Sequence, residues 1–412
     1  MSRPDSLLLV GPLPPPYYGQ SVSFGMLVRE VDGRGIPHRV VDLAHGEKSA
    51  ASIGRATWSR ARDYAGILAR FARAVPGGRK TLYLTIAQSR HGFFRDCVMI
   101  WLAALCRQRI VVHLKGGNYH NFYADQPRPL RALVRATLRR AHRVLVLGER
   151  LRSMFDFEPA LADRIRVVSN GLPEDRLEGA GPRRLPASPA EGPVRLLYLS
   201  NLIESKGWLD LLAAVKLLRD RLGEGVVRCD FYGLFMTNAD DRTVRSAEHA
   251  RQLFDGYVAE HRLEDSVGFH GVVAGDEKRQ VLARSHFFVL PTRYNNEGQP
   301  VSIIEAIAYG NVVVSTDYRA IPDMVVDGVT GCLVPYGDAE AIAGAVEALV
   351  RSPERYAEMS RAAVEHYERR FTRRAHLDAL LPHLLDAEPA LSPAPAAERL
   401  STGPRPSSPR AG

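Results

Sequence analysis

The sequence of 412 residues is 45% hydrophobic and 25% charged, and its net charge is +9. These proportions exclude a wholly disordered or fibrous chain, and the length predicts two domains at roughly 100–200 residues each. The longest apolar run, residues 98–106, is far shorter than the roughly 18–20 residues of a membrane-spanning helix. Four scattered cysteines and the lack of a signal-peptide pattern favour a reducing, cytoplasmic setting without zinc or disulfides.

The charge is unevenly distributed along the chain. Residues 1–180 hold 28 Lys and Arg against 15 Asp and Glu, a net charge of +13, whereas the remaining residues carry −4. This excess predicts an anionic partner for the first half, which could be a phosphate-bearing lipid, a membrane surface or a nucleic acid. A solvated arginine-rich surface is an equally good interpretation.

Short β-branched or leucine-rich runs alternate with helical patterns, which predicts βαβ units and parallel sheets. Predicted helices include 60–74, 95–106, 130–141 and 208–222. The strands predicted in the first half are 6–10, 39–43, 81–87, 109–114, 143–147 and 165–169. Those predicted in the second half are 194–199, 228–232, 267–270, 287–290, 312–316 and 331–334.

The predicted fold is therefore α/β, with two doubly wound, Rossmann-like domains that enclose a cleft. We predict a first domain at 1–178, a linker rich in glycine and proline at 179–193, and a second domain at 194–350. Helices follow at 351–386, and a disordered Pro/Ala/Ser-rich tail follows at 387–412. In such sheets ligands bind beyond the carboxyl ends of the strands, so the cleft is the expected site.

The first predicted strand leads into a proline-rich loop that ends at Gly19, just before a helix. Such a loop can bring backbone N–H groups against a phosphate. Its glycines do not form G-x-G-x-x-G, so the loop gives no support to a dinucleotide-dependent dehydrogenase. An ordinary proline-rich turn is the simpler interpretation of the loop taken alone.

Polar residues follow the third and fourth predicted strands. His113 ends the fourth strand and is followed by Lys115, while Arg90 and His91 come just after the third. A histidine at a strand end often makes only structural hydrogen bonds, but this position faces the predicted cleft. In the second domain, Asn201 and Lys206 lie between a strand and a helix. A lysine there can neutralise a diphosphate as a compact charge.

The sharpest motif precedes and enters a predicted helix in the second domain. Pro300 suits the first turn of a helix, which leaves the N–H groups of Val301 and Ser302 free to bind an anion. Glu297 precedes this turn, next to Gly298, and Glu305 follows inside the helix. One phosphate-sized pocket would thus have a carboxylate on either side, each suited to accept hydrogen bonds from sugar hydroxyls.

These motifs resemble those of the family 4 retaining glycosyltransferases, which have the GT-B fold of two Rossmann-like domains. The resemblance covers about residues 6–380 and is strongest over the E-x7-E motif, Glu297 to Glu305. It extends to residues 287–292, 321–323 and 327–331. It implies an acceptor-binding first domain, a nucleotide-sugar-binding second domain, and terminal helices that cross back onto the first.

The resemblance also implies roles for individual residues. Glu297 would contact the donor sugar, Glu305 would hold the nucleotide ribose, and Lys206 would bind the diphosphate. His113 would lie beside the reacting carbon, and Lys206, Glu297 and His113 form the expected catalytic set. The implied donor-binding residues are Gly19, Asn201, Lys206, Gly298, Val301, Ser302 and Glu305. The acceptor-binding candidates are Arg90, His91 and Lys115.

One position departs from the family pattern. Asn201 stands where the family often has arginine, five residues before Lys206, so Arg293 is a candidate to supply the missing charge. The expected reaction needs no cofactor other than the nucleotide-diphosphate sugar that serves as donor substrate. A glycosyltransferase of the other fold type, GT-A, would need a metal-binding D-x-D motif, and no two aspartates lie two positions apart. No metal site is therefore expected.

Other functions fit parts of the sequence. A nucleic-acid-binding protein could use the basic half, but its arginines lack an aromatic stacking platform. A catalytically inactive partner subunit would be expected to lose some of Glu297, Glu305, Lys206 and His113, and all four are present. The remaining alternative among enzymes is a nucleotide-sugar epimerase with the same fold.

The acceptor is expected to be a glycan or a lipid-diphosphate-linked saccharide, as in assembly of bacterial surface polysaccharides. Arginines 55, 60, 62, 70 and 73 flank apolar residues at helical spacing, including Trp58, Ile67 and Phe71. This helix could lie on the inner face of an anionic cytoplasmic membrane with its apolar face in the headgroups. It could equally bury that face in the core, as Rossmann helices do.

Overall fold

The computed structural model describes residues 6–15, 18–44, 58–174 and 177–385. Two parallel six-stranded sheets form its frame. The first sheet has the order β2-β1-β3-β4-β5-β6 and the second β12-β11-β10-β7-β8-β9. The first contains β1 (Ser6–Gly11), β2 (His38–Asp42), β3 (Lys80–Ile86), β4 (Arg109–Leu114), β5 (Arg143–Val146) and β6 (Ile165–Val167). The second contains β7 (Val194–Leu199), β8 (Val227–Tyr232), β9 (Val267–Phe269), β10 (Phe287–Leu290), β11 (Val312–Thr316) and β12 (Gly331–Val334).

Helices connect and cover both sheets. Those of the first half are α1 (Gly19–Gly33), α2 (Trp58–Ala74), α3 (Arg90–Leu105), α4 (Tyr119–Ala124) and α5 (Arg128–Leu138). Those of the second half are α6 (Trp208–Leu222), α7 (Ala247–Glu260), α8 (Gly275–Arg284), α9 (Val301–Ala308), α10 (Ala339–Val350), α11 (Pro353–Arg370) and α12 (Arg373–Leu385). Buried strands such as β4, with Val111 and Val112 fully enclosed, explain why apolar runs predicted these elements.

The order of strands fixes where a ligand can bind. Sequential connections reverse direction between β1 and β3 in the first sheet, and between β7 and β10 in the second. Ligands of open parallel sheets bind at such switch points, beyond the carboxyl ends of the strands. We therefore expect a ligand to contact the loops that follow these four strands.

The last helices return to the first sheet. Leu377 and Leu381 of α12 pack with Leu9 and Tyr83 in one buried cluster. The Arg373 guanidinium donates to Glu30 of α1 at 2.8 Å. The linker segment rests on the second domain, where the side chain of Arg183 donates to the carbonyl oxygen of Tyr309 at 2.8 Å. The proposed tail, 387–412, lies outside the described residues.

The structure corrects one expectation about membranes. Ile67 and Phe71 of α2 are buried in the core of the first sheet, so the prediction that this apolar stripe faces outward is wrong. The alternative, a stripe that packs in the core, holds for these residues. Arg55 and the side chains of Trp58, Arg60 and Arg62 lie outside the description, and Arg70 and Arg73 are exposed. Within the described ranges, every helix is too short or too polar to cross a membrane.

Candidate functional site

A cleft of about 690 Å³ separates the two sheets at their switch points. From the first half, its walls include the start of α1, the loops after β3 and β4, and Asn170 after β6. From the second half, residues 294–301, the segment between β10 and α9, form the opposite wall. Three of the four loops that the strand order indicates, those after β1, β3 and β10, therefore line the cleft, and the loop after β4 and Asn170 complete it.

The two walls meet at glycines. The N–H of Gly117 donates to the carbonyl oxygen of Asn296 at 3.4 Å, and a Cβ on Gly117 would overlap the carbonyl oxygen of Glu297. A Cβ on Gly298 would crowd the carbonyl oxygen of Lys115. Glycine is therefore required on both sides, because any side chain would force the walls apart at the loop that carries Glu297.

Glu297 and Lys206 are brought together, although they lie 91 positions apart in the chain. Lys206 Nζ lies 3.5 Å from Glu297 Oε2 and donates to the hydroxyl of Ser200 at 2.9 Å. The ring centroid of Tyr294 is 5.1 Å from the same ammonium. Glu297 lines the cleft with only 8% of its surface exposed. The pair thus presents a fixed cation and a fixed acceptor to the cleft.

Glu305 belongs to a second carboxylate–lysine pair. Lys278 of α8 donates to Glu305 Oε1 at 2.5 Å. Burial raises the pKa of the Glu305 carboxyl, and the neighbouring Lys278 charge opposes this rise. The two glutamates of the motif therefore flank the N-terminus of α9, each with its own lysine. Sequence reasoning missed Lys278, because nothing in its local pattern distinguishes it from a surface lysine of α8.

Two helices begin at the cleft. α9 starts at Val301, directly after Pro300, and α1 starts at Gly19. A Cβ on Gly19 would contact the Val301 side chain, so these two helix N-termini approach each other across the cleft. The first N–H groups of a helix lack partners within it and attract anions. Ser302 is half-buried in the first turn of α9.

His113 lies beneath the cleft. Its ring is fully buried, and its Nδ1 is 2.8 Å from the hydroxyl of Tyr83. Burial, reinforced by the charge of Lys115, holds the pKa of His113 well below its usual range, so the imidazole is neutral. Among the described residues, neither His113 Nε2 nor the Oγ1 of the neighbouring Thr85 has a hydrogen-bond partner. Thr85 lines the cleft, and His113 lies beside it on the neighbouring strand.

In the described part of the first domain, Lys115 is one of two cations that line the cleft, with Arg95. Its Nζ donates to the hydroxyl of Ser23 and to Asn170 Oδ1, both at 3.1 Å. Both acceptors are neutral, and the surrounding protein atoms lower the pKa of the ammonium to about 7. An anionic or hydroxyl-bearing ligand would therefore find a poorly compensated charge here.

Eight of the predicted residues lie outside the residues that line the cleft: Lys206, His113, Ser302 and Glu305, described above, and Asn201, Arg293, Arg90 and His91. Asn201 Oδ1 accepts from the N–H of Leu234 at 3.2 Å. The Arg293 guanidinium lies 4.4 Å from the ring centroid of Tyr336. Arg90 and His91 are exposed in the first turn of α3.

Sequence reasoning also missed Gln299. This buried amide accepts from the N–H of Asn170 at 2.6 Å and donates to the carbonyl oxygen of Leu147 at 3.1 Å. Its partners lie more than a hundred residues away, and an amide between two motif glutamates has no local signature. The only available signal was its position inside the E-x7-E motif.

Comparisons with known proteins identify the second domain. Residues 193–352 match the family model "Glycosyl transferases group 1". The amylovoran biosynthesis glycosyltransferase AmsK of Erwinia amylovora is 30% identical over 155 residues, 37% of this chain and 34% of AmsK. The alpha-maltose-1-phosphate synthase of Mycobacterium tuberculosis is 30% identical over 239 residues, 54% of this chain and 58% of that enzyme. The matches thus span about a third to just over half of these relatives.

Solved structures match almost the whole chain. Anabaena Alr3699/HepE in complex with UDP aligns over 90% of this chain and 97% of its own, with a TM-score of 0.62 at 15% identity. Sucrose-phosphate synthase from Thermosynechococcus elongatus aligns over 90% and 96%, with a TM-score of 0.63 at 17% identity. Residues 193–352 are therefore similar to the group 1 glycosyl transferases, and the chain as a whole has the GT-B fold that its sequence predicted.

Proposed function

We propose that this protein is a retaining glycosyltransferase that moves a sugar from a nucleotide-diphosphate sugar to a hydroxyl of a glycan or lipid-linked saccharide. One observation carries the proposal: Glu297 and the N-terminus of α9 at Val301 line the cleft, and the chain before and after this helix start carries two carboxylate–lysine pairs, Glu297–Lys206 and Glu305–Lys278. This arrangement offers acceptors for sugar hydroxyls on either side of an anion site.

The donor fits this site in one direction. The diphosphate lies at the N-terminus of α9, where backbone N–H groups of Val301 and Ser302 and the Lys206 ammonium bind its oxygens. Glu305 accepts hydrogen bonds from the ribose hydroxyls. Glu297 accepts them from the sugar, and Gly19 and Gly298 allow the two walls to approach it.

Departure of the diphosphate is the step that the site assists. As the bond between the anomeric carbon and the phosphate oxygen breaks, negative charge develops on that oxygen. Lys206 and the N-terminus of α9 stabilise this charge in place of a metal ion. The acceptor hydroxyl forms the new glycosidic bond on the face that the diphosphate leaves, and its proton passes to the leaving phosphate. The neutral His113 donates from Nε2 to the sugar.

The first domain supplies the acceptor side of the cleft. Lys115 lines the wall with its ammonium held between Ser23 and Asn170. Arg90 and His91 are exposed near the rim and could contact more distant parts of a long acceptor. The names of two relatives refer to amylovoran and colanic acid biosynthesis, which supports a polysaccharide product.

A panel of UDP-, GDP- and ADP-sugars tests this function. We expect one nucleotide class to bind and to be slowly hydrolysed without an acceptor, with rates unaffected by EDTA. Glu297→Gln should abolish hydrolysis but keep binding of the free nucleotide diphosphate. Absence of binding across the panel would contradict the proposal. Interconversion of two free nucleotide sugars, without transfer, would indicate an epimerase instead.

A further inference from the structure

Helix α3 carries a line of exposed apolar side chains. Seven large apolar side chains are exposed among the described residues, and four of these seven lie on α3. They are Phe94, Val98, Trp101 and Leu105, with exposed fractions of 45%, 42%, 38% and 80%. Spacings of four, three and four residues place them on one helix face, over roughly 16 Å at about 1.5 Å per residue. A contiguous exposed apolar patch of this kind indicates an interaction surface.

A cavity rich in arginine adjoins the C-terminal end of this line. Its volume is about 660 Å³, and Ala104 of α3 forms part of its wall. Among the described residues, no carboxylate lines it. Six arginines do so: Arg107, Arg109, Arg139, Arg140, Arg143 and Arg164. Arg140 joins the cavity to the apolar line, because its guanidinium lies 4.3 Å from the ring centroid of Trp101.

Among the described carboxylates, Glu158 is the one that pairs with the arginines of this cavity other than Arg109. Arg139 Nε lies 3.0 Å from Glu158 Oε2, but Glu158 also pairs with Arg135 at 2.9 Å. Arg143 and Arg164 donate to backbone carbonyl oxygens, which are neutral. A net positive charge therefore remains beside the apolar line and calls for anionic groups.

We propose that the apolar line of α3 and the arginine cavity together form a docking surface for an anionic lipid bilayer. The apolar side chains enter the headgroup region, and the arginines bind lipid phosphates. The two features complement the two layers of a bilayer surface, since an interfacial helix combines apolar burial with attraction of Arg to anionic lipids. This surface replaces α2, whose Ile67 and Phe71 are buried.

Other occupants fit the surface less well. In a symmetric dimer the same patch would face itself, which would bring two arginine clusters together without carboxylates between them. A nucleic acid would neutralise the arginines but would leave Val98 and Leu105 exposed to water. A bilayer accounts for both the charge and the exposed apolar area.

The docking surface also lies beside the proposed active site. α3 begins at Arg90 near the rim, and Arg95 on the same helix lines the cleft. A bilayer on this surface would bring lipid-linked saccharides to the acceptor side of the cleft. This role in acceptor delivery rests on the proposed function, whereas membrane binding itself does not.

Co-sedimentation with vesicles tests the docking surface without any turnover. The full chain is mixed with vesicles of phosphatidylcholine, with or without 30% phosphatidylglycerol, in about 0.1 M salt. We expect binding to the anionic vesicles only. Arg107→Gln/Arg140→Gln should lower the partition coefficient at least about tenfold, since one arginine contributes about fivefold, or about 1 kcal/mol. Val98→Ser/Leu105→Ser should lower it at least about tenfold as well, through the loss of buried apolar area. Val272→Ser and Arg242→Gln/Arg245→Gln, exposed positions on the second domain, are the matched controls and should bind as the wild type does.

A label at Cys106 gives a second readout. Cys106 is exposed directly after Leu105, so acrylodan attached there in a Cys332→Ser background should shift to the blue with anionic vesicles. Equal binding by the α3 variants, or no shift of the label, would overturn the proposal. It would also be overturned if Leu105→Ser dissolved a dimer, or if the surface bound DNA in preference to anionic vesicles. Intact nucleotide binding in the same samples separates any of these outcomes from failure of the proposed function.

Discussion

Gln299 and Asn170 join the two halves of the cleft through a buried hydrogen bond, from the Asn170 N–H to Gln299 Oε1 at 2.6 Å. Gln299 also donates to the carbonyl oxygen of Leu147. The residue between the two motif glutamates is therefore anchored to the first sheet. This anchor links the position of Glu297 to the contact between the two halves of the cleft.

Loss of this anchor should lower the stability of the fold and weaken the binding of the nucleotide diphosphate. In Gln299→Leu, the buried N–H of Asn170 loses its acceptor, at about 1–3 kcal/mol for an unpaired group, whereas the carbonyl of Leu147 still accepts from the Ser169 hydroxyl. We expect a lower free energy of unfolding in urea and weaker binding of the nucleotide diphosphate. Gln252→Leu, an exposed position on α7, is the control and should change neither. Unchanged stability of Gln299→Leu would show that the anchor contributes little.

The two motif glutamates should have separable roles. Glu305→Gln should weaken binding of the nucleotide about ten- to a hundredfold, because a charge-assisted hydrogen bond contributes roughly 1.5–3 kcal/mol. Glu297→Gln should retain nucleotide affinity and lose transfer. Calorimetry with the nucleotide diphosphate, followed by transfer assays, distinguishes the two. Wild-type affinity in Glu305→Gln would refute its assignment to the ribose.

Lys115 should make stability depend on pH in a specific direction. Its pKa in the folded chain is about 7, below that of an exposed lysine. Folding is therefore penalised most below pH 7, where the folded chain must hold the charge, and the penalty fades as pH rises towards the ordinary lysine pKa. His113 and His376 adjoin this charge, and their pKa values are lowered too, His376 to about 3, so both stay neutral above pH 6.

Lys115→Met removes this penalty. The gain in the free energy of unfolding, relative to the wild type, should be about 2 kcal/mol larger at pH 6 than at pH 9. Hydrogen bonds to Ser23 and Asn170 are lost at both pH values and so do not produce the difference. Urea titrations at the two pH values measure it. A gain that is equal at both, or larger at pH 9, would contradict the lowered pKa.

Tyr83 should set the tautomer of His113. Burial raises the pKa of the Tyr83 hydroxyl, so it stays protonated and can donate to Nδ1, which leaves the proton of the imidazole on Nε2. Tyr83→Phe should mix the tautomers, detected by 15N NMR, and lower kcat about tenfold with little change in the donor KM. Tyr356→Phe is the control, because the buried Tyr356 hydroxyl donates to the backbone carbonyl oxygen of His286 and not to an imidazole. An unchanged tautomer in Tyr83→Phe would refute this role.

The sequence predicted the frame of the fold because the strands are buried on both faces. Every predicted strand lies within two residues of an observed one, since apolar runs such as Val312–Thr316 have few other interpretations. The placement of Glu297 and Lys206 at the same edge of the second sheet followed from the rule that loops after parallel strands share one edge, whereas their ion pair was not predicted. The relation between Gln299 and Asn170 could not be predicted, because it depends on how the two domains meet.

The outward face of each helix was the hardest feature to predict. α2 alternates arginine with apolar residues, so its stripe stood out, yet that stripe packs in the core. α3 is apolar on nearly all sides, so its pattern could not show that Val98 and Leu105 are exposed while Met99 and Ile100 are buried. The packing of α3 against α2, β3, β4 and α5 decides this.

Transfer with retention is the claim that the whole account depends on. The most direct measurement is proton NMR of the reaction between the active nucleotide sugar and a lipid-diphosphate-linked saccharide, read at the anomeric proton of the new linkage. The account predicts a new glycosidic linkage with the anomeric configuration of the donor, formed by the wild type and absent in Glu297→Gln. A product of inverted configuration, or equal transfer by Glu297→Gln, would contradict it.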